Sequence, residues 1–227
     1  SGKSVYCNCD DPRVSNFFKY FSVNFHELGL EKLIASCYVE RDMDIFSNGV
    51  VKNGFYYEYR GGSKEGCILD DIKLSYFDGD GDFRSSESIE LLKKSDVVVT
   101  NPPFSLFREY LEQLIKYEKK FLIIANVNSI TYKEVFKLIK DNKLWLGVHL
   151  GRGVSGFIVP DHYELYGTEA RIDESGNRII SPNNCLWLTN LDTFIRHEDI
   201  PLTKKYFGNE AEYPKYDNFD AINVNKT

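Results

Sequence analysis

Asn101-Pro102-Pro103-Phe104 is the stretch whose residue types and spacing could most directly do chemistry. A planar exocyclic amino group, such as that of adenine, is a poor nucleophile because its lone pair is delocalised into the ring. Acceptors that favour a localised, tetrahedral nitrogen would activate it without a strong base. The Asn101 side-chain carbonyl can accept one amino hydrogen and the Pro102 main-chain carbonyl the other, provided the chain is rigid. Pro102 and Pro103 supply that rigidity. Phe104 offers a ring face to a base swung out of a duplex, a stacking contact worth about 1–3 kcal/mol. The bland alternative is a strand-ending turn that returns Phe104 to the core. Context favours chemistry, because the tetrapeptide follows the strand-forming run Val97–Thr100, and open α/β sheets bind ligands at the carboxyl ends of strands.

The elements that must position this motif follow from alternating apolar runs and segments of helical period, the pattern of βαβ units and a mostly parallel sheet. Residues 4–9 read as a strand. Phe17, Phe21, Phe25 and Leu28 recur at helical spacing, with Ser15 as N-cap and Gly29 as the stop. A strand over 33–38 follows. Residues 41–66 carry the turn signals Asn48-Gly49 and Asn53-Gly54 around a tyrosine-rich run, which predicts a β-rich insertion. A run over 68–77 leads into DGDGDF, then a helix over 86–94 with acids first and lysines last. After the motif come a helix with Phe107, Tyr110, Leu111, Leu114 and Ile115 on one face, and a strand over 121–126. Thr131 and Glu134 predict a capping box, 144–148 a strand, 174–177 a turn between two short strands, and 185–189 a final core strand. No period is detectable beyond Thr203. One domain over 1–227 is expected, with target-recognition loops over 151–184.

Composition sets wider bounds. At 227 residues, 42% of them apolar, the chain can bury one good core. No apolar run approaches the ~20 residues that cross a bilayer, and the start, SGKSVYCNCDD, lacks a basic segment followed by an apolar one. A cytoplasmic protein without membrane contact is expected. Five scattered cysteines, an odd number, fit reduced thiols. A formal charge of −6 neither supports nor excludes DNA, which needs only a local basic face. The pairs Lys93-Lys94, Lys119-Lys120 and Lys204-Lys205 read as solvated helix ends before phosphate clamps.

VYCNCDDPRVSNFFKYF near the start, then LGLEKLIASCY, GDGDF and TNPPF, resemble the EcoRI-type adenine-specific DNA methyltransferase family over about residues 5–189. The resemblance implies a Rossmann-like fold dependent on S-adenosylmethionine (AdoMet), with helices on both faces of its sheet. It further implies modification of adenine in double-stranded DNA, and a role beside a partner restriction endonuclease or in phage defence. Carried over by position, Cys9, Asp10, Asp11 and Pro12 end the first strand and face the amino-acid part of AdoMet, where a carboxylate can pair with the ammonium group. Tyr38 ends the second strand, where many methyltransferases hold the ribose with an acid; Glu40 is the substitute. Asp82 and Phe83 resemble the pair that holds the cofactor's adenine, and Asn101 adjoins the cofactor while keeping its role toward the target. The family's upstream aromatic-Tyr-Thr element has no counterpart before the first strand, so a chain shortened at its start and weaker in cofactor affinity is the expectation.

Other signals fall away. Asp78, Asp80 and Asp82 imitate a calcium loop, but Phe83 stands where glycine must be and Ile89 where glutamate must close it. Gly151, Gly153 and Gly156 match G-x-G-x-x-G without the helix that should follow. Cys7-x-Cys9 lacks a second ligand pair for zinc; no metal is implied. His26, His149, His162 and His197 are isolated, and methyl transfer does not need them. Arg152, His162, Arg171 and Arg178 are candidates for contacts to base edges or phosphates. Two other readings stay open: a methyltransferase for RNA adenine or a protein glutamine amide, and a catalytically silent AdoMet- or DNA-binding module.

Overall fold

The computed structural model describes residues 2–40, 53–62, 71–147, 157–165, 170–180, 184–199 and 204–223. In chain order the elements are β1 (Lys3–Cys7), α1 (Asn16–Val23), β2 (Leu30–Cys37), β3 (Phe55–Tyr59), β4 (Ile72–Tyr76), α2 (Ser86–Lys93), β5 (Val97–Thr100), α3 (Phe107–Lys116), β6 (Lys120–Asn126), α4 (Lys133–Lys140), β7 (Trp145–Leu146), β8 (Phe157–Val159), β9 (Arg171–Ile172), β10 (Arg178–Ile180), β11 (Cys185–Thr189), β12 (Lys215–Tyr216) and β13 (Phe219–Ile222). They fall in two compact units, Ser1–Leu191 and Asp192–Thr227. The second holds the β12–β13 hairpin, an ion pair between Lys204 and Glu212, and Tyr206 packed edge-on against Tyr213, order that the polar tail gave no period for.

The first unit is built on an eight-stranded sheet in the order β4-β3-β2-β1-β5-β6-β11-β7. β2, β1, β5 and β6 pair in parallel, whereas β3 and β11 run against both of their neighbours. β4 and β7 therefore point the same way as the central four. This is a mixed α/β architecture in which the strand order reverses between β1 and β5. A second, small antiparallel sheet, β8-β10-β9, contains the hairpin over the 174–177 turn, where the Asp173 carboxylate accepts from the N–H groups of Ser175 (3.0 Å) and Asn177 (2.8 Å).

The central strands carry apolar runs, Val5–Cys7, Leu33–Ala35, Val97–Val99 and Phe121–Ala125, because both faces are buried there. Along β1, Val5 and Cys7 face one way and Tyr6 the other; Leu33 and Ala35 against Ile34 repeat this on β2. α1 covers the first face through Phe17, Phe18 and Phe21. α2, α3 and α4 cover the second through Leu91, Leu92, Phe107, Tyr110, Leu114 and Val135. Truncating a fully buried side chain such as Leu114 would cost about 2–5 kcal/mol. The α1 cap forms as expected, Ser15 Oγ accepting from Phe18 N at 3.0 Å, but the helix ends at Val23, and Phe25 is buried from the turn that follows.

Three local expectations change. β3, inside the stretch expected as an insertion, is a strand of the main sheet, paired with β2 and β4. Asn53-Gly54 is no hairpin turn: Gly54 packs on the 79–81 backbone, donating to Gly79 O and accepting from Phe77 N, both at 2.9 Å. A Cβ there would lie 2.4 Å from Asp80 O, so the close approach itself demands glycine. Thr131 and Glu134 form no capping box, because Thr131 Oγ1 turns back to Asn128 O (2.8 Å) and the N-cap of α4 is Tyr132. Asn48-Gly49, Cys67, His149, Arg152 and the glycines at 151, 153 and 156 lie outside the described residues.

Candidate active site

The carboxyl ends of β1, β2, β4 and β5 meet at the point where strand order reverses, the usual ligand position in an open α/β sheet. There they enclose a cavity of about 590 Å³, within the usual range for small-molecule sites. Cys9, Asp10, Asp11, Tyr38, Asp82, Phe83, Asn101, Pro102 and Pro103 line it, each expected from the sequence. Pro12 and Phe104 do not: Pro12 is buried, and Phe104 lies outside the cavity, 41% exposed. Glu40 is exposed and lines nothing there. Cys37, Gly81, Arg84 and Leu106 complete the wall and escaped sequence reasoning.

The floor is locked by buried polar bonds. Asn8, at the end of β1, accepts from Thr100 Oγ1 through its main-chain carbonyl and from the Tyr110 hydroxyl through Oδ1, tying β1 to β5 and α3. Tyr6 and Ser36 share a hydroxyl bond of 2.8 Å that ties β1 to β2. Phe83 is buried and packs edge-on against Tyr110 at 5.2 Å, while Gln113 Nε2 donates to its carbonyl at 3.0 Å.

The acid-rich loop after β4 is held in shape by carboxylates, which accept from backbone N–H groups. Glu87, in the first turn of α2, accepts from Asp78 N (3.1 Å) and Gly79 N (3.2 Å). Asp80 accepts from Asp82 N at 3.0 Å, and Asp82 from Arg84 N at 2.8 Å. Among the described residues no group of three or more His, Cys, Asp and Glu could hold a metal ion.

The three carboxylates on the wall differ. Asp11 receives Arg13 through Nε (2.9 Å) and Nη2 (2.6 Å), and Asp82 receives Arg84 through Nε (3.0 Å) and Nη2 (2.8 Å). These arginine hydrogen bonds hold both carboxyls below their ordinary range. Asp10 has no guanidinium; Ser15 Oγ donates to it, and burial pushes its pKa up. The repeated spacing Asp-x-Arg, at 11–13 and 82–84, is the signal that could have found Arg84. Cys9, at φ 59°, is pushed up to about 12 by burial and then by Asp82 and Asp10, so it is a protonated, apolar wall residue and no nucleophile.

Asn101 is exposed at the end of β5, and among the described residues nothing hydrogen-bonds its side chain or the Pro102 carbonyl. The lysine pairs at 93–94 and 119–120 lie at the opposite edge of the sheet, where Lys119 Nζ donates to the carbonyls of Lys93 (2.9 Å) and Ser95 (2.6 Å). Among the described residues no helix is long and apolar enough to cross a membrane.

A relative from Escherichia coli, Type II methyltransferase M.EcoRI, is 79% identical over 227 residues, covering all of this chain and 70% of that protein. Type II methyltransferase M.MgeORF184P of Mycoplasma genitalium is 36% identical over 228 residues, with 66% of its length covered. M.MpnI of Mycoplasma pneumoniae is 35% identical over 227 residues, with 65% covered. The chain thus spans about two thirds of the length of these relatives. No solved structure matches it. The family model described as adenine-specific methyltransferase EcoRI matches residues 1–227, and the chain belongs to that family.

Proposed function

We propose that this cavity binds AdoMet, and that Asn101 and Pro102 present the amino group of an adenine, swung out of a specific double-stranded DNA sequence, for methylation. The observation that carries this reading is that a half-buried carboxylate with no arginine partner and an asparagine side chain with no hydrogen-bond partner, both among the described residues, line one cavity across the β1–β5 switch point. The parallel run β2-β1-β5-β6, with β11 antiparallel beside β6, supports a Rossmann-like reading, and the antiparallel β3 between β2 and β4 departs from it. The setting is restriction-modification, with a partner endonuclease of the same specificity.

The wall fits the cofactor's chemistry. AdoMet carries an ammonium, a carboxylate and a sulfonium, a net charge of +1; Asp11 and Asp82 are neutralised by arginines, which leaves Asp10 as the surplus negative charge. Asp10 takes the ammonium, Asp82 the adenine amino group, and Phe83, Pro103 and Leu106 the apolar surface. When bound, AdoMet supplies an electrophilic methyl on its sulfonium. Asn101 Oδ1 and the Pro102 carbonyl each accept one hydrogen of the adenine amino group, so its lone pair leaves conjugation with the ring and localises on nitrogen. The two prolines keep these acceptors fixed, and positioning provides most of the acceleration. Phe104, outside the cavity, stacks on the flipped base. The test is transfer of labelled methyl from AdoMet to duplex DNA, with RNA and a protein extract as parallel acceptors. Label in N6-methyladenine of DNA supports the reading; label confined to RNA or protein overturns the substrate.

A further inference from the structure

Arg108 differs from Arg13, Arg60, Arg84 and Arg178, each of which has a hydrogen-bond partner. Arg13, Arg60 and Arg84 each hold a carboxylate, and Arg178 donates to the Tyr163 carbonyl at 2.9 Å. Among the described residues Arg108 has no carboxylate partner; its guanidinium lies 4.4 Å from the centroid of the Tyr132 ring. Stacking on an aromatic face fixes the plane of a guanidinium and leaves its N–H fork directed outward.

The position of this stack follows from topology. Arg108 is the second residue of α3, four residues or about one turn past Phe104. Tyr132 follows the end of β6 after a short 3₁₀ turn, Val127–Thr131. Both lie at the carboxyl edge beside Asn101, on the side away from the AdoMet wall. Phe104 (41%) and Val127 (37%) expose apolar surface at the same edge. The 3₁₀ turn Phe104–Leu106 runs directly into α3, with Phe107 N donating to Phe104 O, and Glu109 in that first turn is tied to Arg84 at 3.2 Å.

We infer that Arg108, held over the Tyr132 ring, is a positioning residue that clamps a backbone phosphate next to the flipped adenine. A preset planar fork matches a phosphate bidentately, and a base stacked on Phe104 brings its flanking phosphates to the next turn of helix. The inference rests on the DNA reading of the preceding subsection. It adds a contact that fixes register on the duplex and reads no base.

The test uses the whole protein as wild type, Arg108→Ala, Arg108→Lys, and the distant surface control Arg60→Ala. DNA affinity is measured across salt concentrations, with AdoMet affinity measured in parallel. Arg108→Ala is expected to weaken DNA binding roughly tenfold and to reduce the log–log salt slope by about 0.9, the value of one phosphate contact, with AdoMet affinity unchanged. Arg108→Lys should restore the slope but only part of the affinity, because an ammonium lacks the fork. Neutral methylphosphonates are then placed singly on either side of the target adenine. At one position the substitution should weaken the wild type and leave Arg108→Ala unaffected. Unchanged slope and additive losses at every position would overturn the clamp while wild-type methylation of DNA left the functional reading intact. Failure of the wild type to methylate DNA would overturn both.

Discussion

The two halves of the carboxyl edge are made of similar residues used in opposite ways. After β1 and β4, polar side chains are consumed by the protein: Arg13 closes on Asp11, Arg84 on Asp82, and Glu87 and Asp80 on backbone N–H groups. After β5 and β6, the Asn101 amide, the Phe104 ring and the Arg108 fork are exposed, and they and the Pro102 carbonyl have no such partners among the described residues. A rigid ligand that recurs in every turnover suits a wall whose shape is set in advance. A base that must be extracted from a duplex suits groups left without protein partners until it arrives, since each is then free to bond the incoming base. Asp10 is the exception on the first side, and its lack of a cation marks where that wall still has a contact to make.

The largest effect that would sharpen this division is on Asn101. Asn101→Ala is expected to lower the rate of methyl transfer by about 10²–10³, the loss seen when one preorganised acceptor or donor is removed; saturating turnover kinetics with duplex DNA measure it. Asp10→Asn comes next, with AdoMet binding weakened by about one to two orders of magnitude through loss of a charge-assisted bond, read by calorimetric titration. The same variant should unfold at a higher temperature. Burial raises the Asp10 pKa in the folded state, so its ionisation costs stability once the pH exceeds the unfolded value near 4. An amide has no such cost, and a lower melting temperature at neutral pH would count against the assignment.

Phe104→Ala should weaken productive DNA binding by the 1–3 kcal/mol of a base stack and leave AdoMet binding unchanged, because the ring lies outside the cavity. Fluorescence of 2-aminopurine at the target position would report the lost stack. The smallest effect belongs to Asp82→Asn in the absence of ligand. Its carboxyl is held below the ordinary range by Arg84, so the pair contributes stability above about pH 4 that is lost as pH falls through the folded value. The pair is solvent-accessible, and that contribution is under about 1 kcal/mol. Acid unfolding of the variant should begin at nearly the same pH as the wild type.

Much of this was legible in residue order. Ser15 announces α1 because a cap is a bond made within three residues, and the two-sided apolar runs of β1, β5 and β6 announce strands buried on both faces. β3 was misplaced because alternation tells which way a side chain faces, not which strand lies beside it; pairing with β2 and β4 is non-local. Gly54 looked like a turn for the same reason, since its need for glycine comes from a backbone distant in sequence. The Thr131 hydroxyl had two acceptors within reach and took the carbonyl of Asn128. At the site, strand ends located the lining residues, but Arg84 and Cys37 were hidden because neither type signals a ligand until its neighbours are known.

The division of the edge is tested most directly by measuring two quantities on two variants side by side: the AdoMet dissociation constant, and the single-turnover rate of transfer to duplex DNA at saturating AdoMet. Asn101→Ala should lose rate by at least about a hundredfold and keep cofactor affinity, whereas Asp10→Asn should lose affinity and keep most of its rate. If both variants lose rate and affinity in equal proportion, the two halves act as one and the division is wrong.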